Sequence, residues 1–216
     1  MKINAIIPAG GTSSRFGAKN KLIEKINGKE VICYTAEVFE YSNVNEIIIC
    51  AHPTIIKELE TIFKDFKKIR IVQGGNCRQQ SVFNGLKSDK CDYVLIHDAA
   101  RPVISSELVN RTIEYVVEKH AVAVATKTTD TIKEVQDGKI IRTIDRAKLY
   151  NTQTPQAFEY NLILNAHKKL EGQNFTDDAG MLEYLGETVY ILDGSYKNIK
   201  ITTLSDIDIA KIYLNK

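Results

Sequence analysis

The chain has 216 residues, 44% of them hydrophobic and 26% charged, and carries a formal net charge of +2 at neutral pH. Length and composition fit one well-buried α/β domain spanning residues 1–216 and exclude a disordered chain. The small net charge excludes general nucleic-acid binding through a basic surface, so any preference for anions must be local. No apolar run approaches the ~20 residues that cross a bilayer. Met1-Lys2-Ile3-Asn4 leads into a strand pattern without a signal-peptide profile. Cys33, Cys50, Cys77 and Cys91 are scattered, with no C-x-x-C pair. Their expected state is reduced and buried, in a cytoplasmic protein with no membrane or nucleic-acid partner.

In chain order, Ile3–Pro8 reads as a buried strand that runs into Ala9-Gly10-Gly11-Thr12-Ser13-Ser14-Arg15. Gly10 and Gly11 let backbone N–H groups approach a ligand closely. Thr12, Ser13 and Ser14 add short donors, and Arg15 and Lys21 add charge suited to phosphate oxygens. The spacing is neither Gly-x-Gly-x-x-Gly nor a P-loop. An ordinary strand-to-helix turn with a solvated basic edge is the competing reading of this segment. Glu30–Phe39 reads as a helix, Glu46–Ala51 as a strand, Pro53–Phe63 as a helix and Ile69–Gln73 as a strand. Gly74-Gly75 then leads into a helix over Arg78–Leu86, followed by a strand over Asp92–His97. Continuous apolar strands joined by helices imply a mostly parallel sheet covered on both faces, with the glycine loops and His97-Asp98 at the carboxyl ends where such sheets bind ligands.

After Ala121–Ala125 the alternation changes. Thr129–Val135 and Lys139–Ile144 flank Gln136-Asp137-Gly138, a hairpin signal that predicts a projecting hairpin over about residues 127–146, either an edge flap or an arm that pairs with another subunit. Glu159–Leu170 and Asp178–Leu185 read as helices, with Thr176-Asp177 as a cap for the second. Val189–Leu192 and Ile199–Thr202 read as strands, and Ser205–Leu214 as a terminal helix capped by Ser205 or Asp206.

Several segments carry chemistry. Asp98 stands at the ligand edge, with Ala99 and Ala100 leaving room beside it and Arg101 supplying a cation. It is suited to a Mg²⁺ ion or a sugar hydroxyl, and otherwise to an Asp–Arg pair that shapes the turn before Pro102. His97 lies within the strand and reads as structural. Gly74 and Gly75 permit approach to a flat base, and Ser81 offers a polar group to its edge. If that motif stood alone, a plain connection with a solvated Arg78 would be its default. Arg146 and Lys200 read singly as surface charges.

Together these segments resemble the 2-C-methyl-D-erythritol 4-phosphate cytidylyltransferases of the isoprenoid pathway. The resemblance is carried by Pro-Ala-Gly-Gly…Arg15, Gly-Gly-x-x-Arg-x-x-Ser-Val at 74–82, His-Asp-Ala-Ala-Arg-Pro at 97–102 and Asp-Thr-Ile-Lys at 130–133. Asp-Arg at 145–146, Gln-Thr-Pro-Gln at 153–156, Thr-Asp-Asp-Ala at 176–179 and Asn-Ile-Lys-Ile-Thr at 198–202 follow in order. It implies a Rossmann-like nucleotidyltransferase fold, CTP as donor, a divalent cation such as Mg²⁺, and pyrophosphate release.

It further implies that Arg15 and Lys21 stabilise the triphosphate. Ala9, Gly10, Gly11, Thr12, Gly74, Gly75, Arg78, Ser81 and Asp98 would line the nucleotide site. Arg146 and Lys200 would position the phosphate of methylerythritol phosphate, with Asp98, Arg101, Thr131 and Thr176 near the acceptor. The hairpin would be the arm of a homodimer, carrying Thr131 and Arg146 to the neighbouring site. Arg15, Lys21, Arg146 and Lys200 are thus the expected catalytic set, without a dedicated protein metal site.

The chain departs from the family pattern in places. Ser13 replaces a common glycine, Asn20 a common proline, and the interval from Arg15 to Lys21 is one residue short, which makes Lys19 a competitor for the role of Lys21. Tyr150 stands where tryptophan is frequent. Arg-Ala-x-Leu-Tyr at 146–150 and Tyr-x-Asn at 196–198 resemble ribitol-5-phosphate cytidylyltransferases, which make CDP-ribitol. Ala99-Ala100 and Asp177-Asp178-Ala179 favour the methylerythritol branch. A CTP-binding module without turnover is a third reading, disfavoured by the full set of cations. A nicotinamide dehydrogenase lacks the required glycine spacing and a suitable acidic residue after the second strand.

Overall fold

The computed structural model describes residues 1–11 and 20–215. In chain order its elements are β1 (Ile3–Ala9), β2 (Lys25–Ile26), β3 (Lys29–Glu30), α1 (Val31–Glu40), β4 (Glu46–Ala51), α2 (Ile56–Ile62), β5 (Ile69–Gln73), α3 (Arg78–Ser88) and β6 (Tyr93–Ile96). There follow α4 (Ser106–Lys119), β7 (Ala121–Lys127), β8 (Ile132–Gln136), β9 (Lys139–Ile144), β10 (Tyr150–Glu159), α5 (Tyr160–Lys169), α6 (Asp178–Tyr184), β11 (Tyr190–Asp193) and α7 (Leu204–Leu214).

Seven strands form the central sheet in the order β11-β7-β10-β6-β1-β4-β5. Every neighbouring pair is parallel except those of β10, which runs antiparallel to both β6 and β7. The strands are apolar at nearly every position because helices cover both faces. From β1, Ile3, Ala5, Ile7 and Ala9 pack with residues of α1, α2 and α4, while Ile6 joins Val82 and Leu86 of α3 and Ile163 of α5. The two-residue period of the strand thus divides one sequence run between two cores.

Four elements have no counterpart in the sequence reading: the two-residue strands β2 and β3, and the longer α4 and β10. Helix α4 carries an evident signal: the Ser105 hydroxyl accepts from the Leu108 N–H at 3.2 Å, and Leu108, Val109, Thr112, Ile113 and Val116 are buried at helical spacing. Strand β10 is disguised by Asn151, Thr152, Gln153, Thr154 and Pro155, since proline argues against a central strand. Its register with β7 shifts between Thr152 and Gln156, so Pro155 occupies the irregularity instead of a regular ladder position.

Other boundaries differ. The segment expected as a strand at 199–202 is a loop, held to the turn after β6 by Ile201 N–H donating to the Ala100 carbonyl at 2.8 Å. The cap of α7 is Thr203, with Asp206 returning a bond to the Thr203 backbone, rather than Ser205 or Asp206. Asp177 caps α6, accepting from Gly180 N–H at 3.1 Å. The hairpin is present as β8 and β9, whose two-residue turn places Asp137 at φ 51° and Gly138 at φ 76°. Both angles suit the twist of a tight hairpin, and glycine tolerates them without strain.

Candidate active site

Three carboxyl-terminal strand ends supply the floor of the site: Gly10 after β1, Gly74-Gly75 after β5 and His97-Asp98 after β6. Ser81, buried in α3, ties the first two together. Its hydroxyl accepts from Gly75 N–H at 3.0 Å and donates to the Cys77 carbonyl at 2.9 Å. A Cβ at Gly10 would lie 2.6 Å from Ser81 Oγ, and one at Gly74 would lie 3.0 Å from both that atom and the Cys50 carbonyl. Close approach of three chain segments therefore requires glycine at these two places. Around Gly11, by contrast, the space is open.

Asp98 is the electrostatic centre. Its Oδ1 accepts from Arg78 Nε at 3.1 Å, its Oδ2 from Lys200 Nζ at 2.9 Å, and Arg101 Nε stands 3.5 Å from Oδ2. Burial opposes ionisation of this carboxyl, yet the Arg78 and Lys200 charges outweigh it and hold it well below the ordinary range. Arg78 is not the solvated side chain of the simplest expectation. Its Nη1 reaches Asp178 Oδ2 at 2.7 Å, so one guanidinium bridges two carboxylates. Burial opposes the negative charge of Asp178 as well, and Arg78 again reverses the balance.

The backbone at Asp98 is fixed from β10. Asp98 N–H donates to Thr154 Oγ1 at 3.0 Å, and the same hydroxyl lies 3.0 Å from His97 Nδ1. His97 Nε2 faces the Arg101 carbonyl at 3.3 Å. The carbonyl can only accept, so Nε2 carries the proton and the Thr154 hydroxyl donates to Nδ1. Burial pushes His97 down to about 4, which keeps it neutral at pH 7. It is a structural pin, as expected from its place in the chain.

The loop after β11 delivers Lys200. Arg101 Nη1 donates to the Asn198 carbonyl at 2.7 Å, and Asn198 Nδ2 donates to the Thr154 carbonyl at 2.8 Å. Lys21 Nζ donates to the Ile201 carbonyl at 2.8 Å. Lys21, Arg101 and Lys200 therefore converge on one rim. Two buried polar atoms at this rim, Arg101 Nε and Asn198 Oδ1, make no hydrogen bond.

The remaining expectations separate. Arg146 and Thr131 lie on the exposed arm, where Arg146 Nη1 donates to the Thr129 carbonyl; among the described residues no contact joins Arg146 to Asp98. Thr176 is exposed in the loop before α6. Thr12, Arg15 and Lys19 lie outside the described residues. Cys33, Cys50 and Cys91 are buried, and burial pushes each thiol up to about 12, whereas Cys77 is exposed at the start of α3, correcting the expectation that all four are buried.

Sequence reasoning missed the buried polar residues behind the rim, His167, Thr154, Gln156 and Asp178 as a working unit. Gln156 accepts from the N–H groups of Asp178 and Ala179, and its amide donates to Asp177 Oδ2 at 2.7 Å. Thr154 and Gln156 become readable only once β10 is recognised as a strand, and nothing local marks Asp178 as buried.

No group of three or more His, Cys, Asp or Glu side chains among the described residues is arranged to hold a metal. Among the described residues Asp98 is the carboxylate that the rim cations surround, and a cation held by one carboxylate and by phosphate oxygens would fit it.

Residues 3–216 match the family model for 2-C-methyl-D-erythritol 4-phosphate cytidylyltransferase. A protein of that name from Clostridioides difficile is 44% identical, over 98% of this chain and 93% of its own length. One from Bacillus licheniformis is 42% identical, over 99% and 96%. The crystal structure of a 4-diphosphocytidyl-2C-methyl-D-erythritol synthase from Anaerococcus prevotii superposes with a TM-score of 0.89 at 33% identity, covering 100% of this chain and 96% of that one. The chain belongs to the 2-C-methyl-D-erythritol 4-phosphate cytidylyltransferase family.

Proposed function

We propose that this member of the family transfers CMP from CTP to 2-C-methyl-D-erythritol 4-phosphate, forming 4-diphosphocytidyl-2-C-methyl-D-erythritol and pyrophosphate. The observation that carries the reading is the convergence of Arg78, Arg101 and Lys200 on Asp98, with Lys21 held to the adjoining Ile201 carbonyl, beside a glycine-lined strand edge. Such a rim can hold two polyanions next to each other, which is the central physical difficulty of the reaction.

An oxygen of the acceptor phosphate attacks the α-phosphorus of CTP, and the bond from that phosphorus to the oxygen bridging to the β-phosphate breaks. That oxygen leaves with pyrophosphate. The nucleophile is already ionised at neutral pH, so no general base is needed, and positioning and charge compensation account for the catalysis. Gly11, with open space around it, gives the nucleotide close access to backbone, while Gly10, Gly74 and Gly75 let the surrounding segments pack closely behind it. Ser81 acts mainly by fixing that glycine cradle, since its hydroxyl proton is used within the protein. Lys21 faces the triphosphate, a role that the family resemblance also gives to Arg15, and Lys200 and Arg101 face the acceptor phosphate. Asp98 would hold Mg²⁺ together with phosphate oxygens, where the ion supplies charge neutralisation.

The same reading includes a homodimer. Val135, Ile140 and Ile141 on the arm are each more than half exposed, which supports an arm that packs on a second copy. Arg146 and Thr131 then serve the neighbouring site. The reading also includes work in the cytoplasm, supported by four free cysteines.

Pyrophosphate release measured with CTP, Mg²⁺ and each sugar phosphate separately tests the assignment. Turnover with methylerythritol phosphate is expected. Turnover only with ribitol 5-phosphate overturns the acceptor, and tight CTP binding without turnover overturns the enzyme.

A further inference from the structure

Residues 194–203, which deliver Lys200, form neither helix nor strand. Lys200 is exposed, so the position of its ammonium depends on how this strap is held. Beneath the strap lie two buried amides, Gln153 of β10 and Asn198 of the strap itself. Gln153 Nε2 donates to the Ser195 carbonyl at 2.9 Å. Asn198 Nδ2 donates to the Thr154 carbonyl at 2.8 Å and to Gln153 Oε1 at 3.2 Å. Backbone carbonyls only accept, so the orientation of each amide follows from its partner. Asn198 Oδ1 is left without a hydrogen bond. An apolar side chain would avoid that cost, so what Asn198 supplies is its pair of donors. Gly194 makes room for the arrangement, since a Cβ there would lie 2.6 Å from Gln153 Oε1.

Other bonds also reach the strap. The Tyr196 hydroxyl donates to the Lys127 carbonyl, Arg101 Nη1 to the Asn198 carbonyl, and Ile201 N–H to the Ala100 carbonyl. Tyr196 is exposed, and Arg101 is itself one of the cations to be placed. The two amides differ in their anchor. Thr154 Oγ1 accepts from the Asp98 N–H, while the Thr154 carbonyl and Gln153 hold Asn198. Asp98 and Lys200, in contact at 2.9 Å, are thus both referred to one dipeptide of a strand inside the sheet. We propose that Gln153 and Asn198 are positioning residues that fix Lys200 relative to Asp98 for the acceptor phosphate. Both amides are buried, and they act through Lys200 rather than on a reactant.

The inference rests on the proposed reaction, and its tests separate the two. Gln153→Met keeps length and bulk, removes both hydrogen bonds and adds no charge. It is expected to raise KM for methylerythritol phosphate about tenfold, with the CTP dissociation constant from calorimetry within about twofold of the unsubstituted protein. An unchanged KM overturns the inference. Placed in a Lys200→Met chain, the same substitution is expected to change kcat/KM by less than about twofold, because the side chain it positions is gone. An equal loss in both backgrounds would mean a general structural role and also overturns the inference. Asn198→Ala removes the two donors while leaving the carbonyl that Arg101 holds. The same two results are expected of it, so the test stands even if Gln153→Met does not fold. Crystal structures of these variants give a readout that does not depend on turnover. Lys200 Nζ is expected to leave Asp98 Oδ2, and an unmoved Lys200 overturns the inference while leaving the proposed reaction intact. Failure of the unsubstituted protein to use methylerythritol phosphate would instead remove the proposed reaction.

Discussion

At the scale of single residues, the site depends on a few atoms at fixed separations. Lys200 is the cation nearest Asp98, at 2.9 Å, and its ammonium is well placed to turn from that carboxylate to an incoming phosphate. Lys200→Met removes the charge while retaining an unbranched stem. It is expected to lower kcat/KM for methylerythritol phosphate on the order of a hundredfold, equivalent to roughly 3 kcal/mol of barrier, with CTP affinity little changed in calorimetry. Gly10 offers a purely steric test. An added methyl would lie 2.6 Å from Ser81 Oγ, so Gly10→Ala is expected to destabilise the fold by about 1–3 kcal/mol in urea titration. The cost should shrink when Ser81→Ala is present in the same chain, because the clashing oxygen is gone. A cost that is additive across the two substitutions would mean that the crowding lies elsewhere.

Elements decide which side chains share the rim and which travel away from it. The arm of β8 and β9 carries Arg146 at its base, tied to Thr129 and apart from Asp98. If the arm completes a neighbour's site, an Arg15→Ala chain mixed with an Arg146→Ala chain should recover about a quarter of the unsubstituted activity. Random pairing makes half the dimers mixed, and each mixed dimer has one intact site. No recovery above the separate chains would exclude shared sites. The turn is the weak point of the arm, since Gly138 holds φ at 76°. If the arm holds a dimer, as proposed, Gly138→Val is expected to loosen it at least tenfold in sedimentation equilibrium, because a β-branched residue resists that backbone angle.

The elements also show how far a sequence can be read. Buried parallel strands and the Asp-Gly hairpin were legible because apolar runs and turn chemistry are local signals. Strand β10 was not, because Pro155 and a polar run argue locally for a loop, and its place between β6 and β7 is a tertiary outcome. The segment 199–202 failed in the opposite sense. Ile199 and Ile201 favour a strand locally, yet their partner is a turn rather than a neighbouring strand. The convergence of Lys21, Arg101 and Lys200 was foreseeable from the family resemblance, whereas the double grip of Arg78 was not, since Asp178 lies far along the chain and nothing local marks it as buried.

Across the whole molecule, buried titrating groups bias stability toward neutral pH. The folded pKa of His97 is about 4 against an ordinary 6.5, because burial disfavours the cation. A depressed folded value stabilises fully above 6.5 and loses that contribution as pH falls toward 4. The loss is on the order of 3 kcal/mol. Asp98 and Asp178, also depressed, add further loss as pH falls below the usual carboxylate range. Urea midpoints measured at pH 7, 5.5 and 4.5 should therefore decline steadily, and His97→Asn should flatten the upper part of that decline. An equally steep decline in the variant would assign it to other groups.

The reversed direction of β10 has one more consequence. Because this strand begins where its neighbours finish, the polypeptide leaves the reacting edge after β7, extends outward as the arm, and returns to the same edge at Tyr150. Four residues later Thr154 grips the amide of Asp98. The root of the arm is therefore spliced into the floor of its own site, while its tip extends away from that site. In the proposed dimer, a tug on one such lever would be felt at home as well as next door, which would give paired sites a direct mechanical route for sensing each other's occupancy.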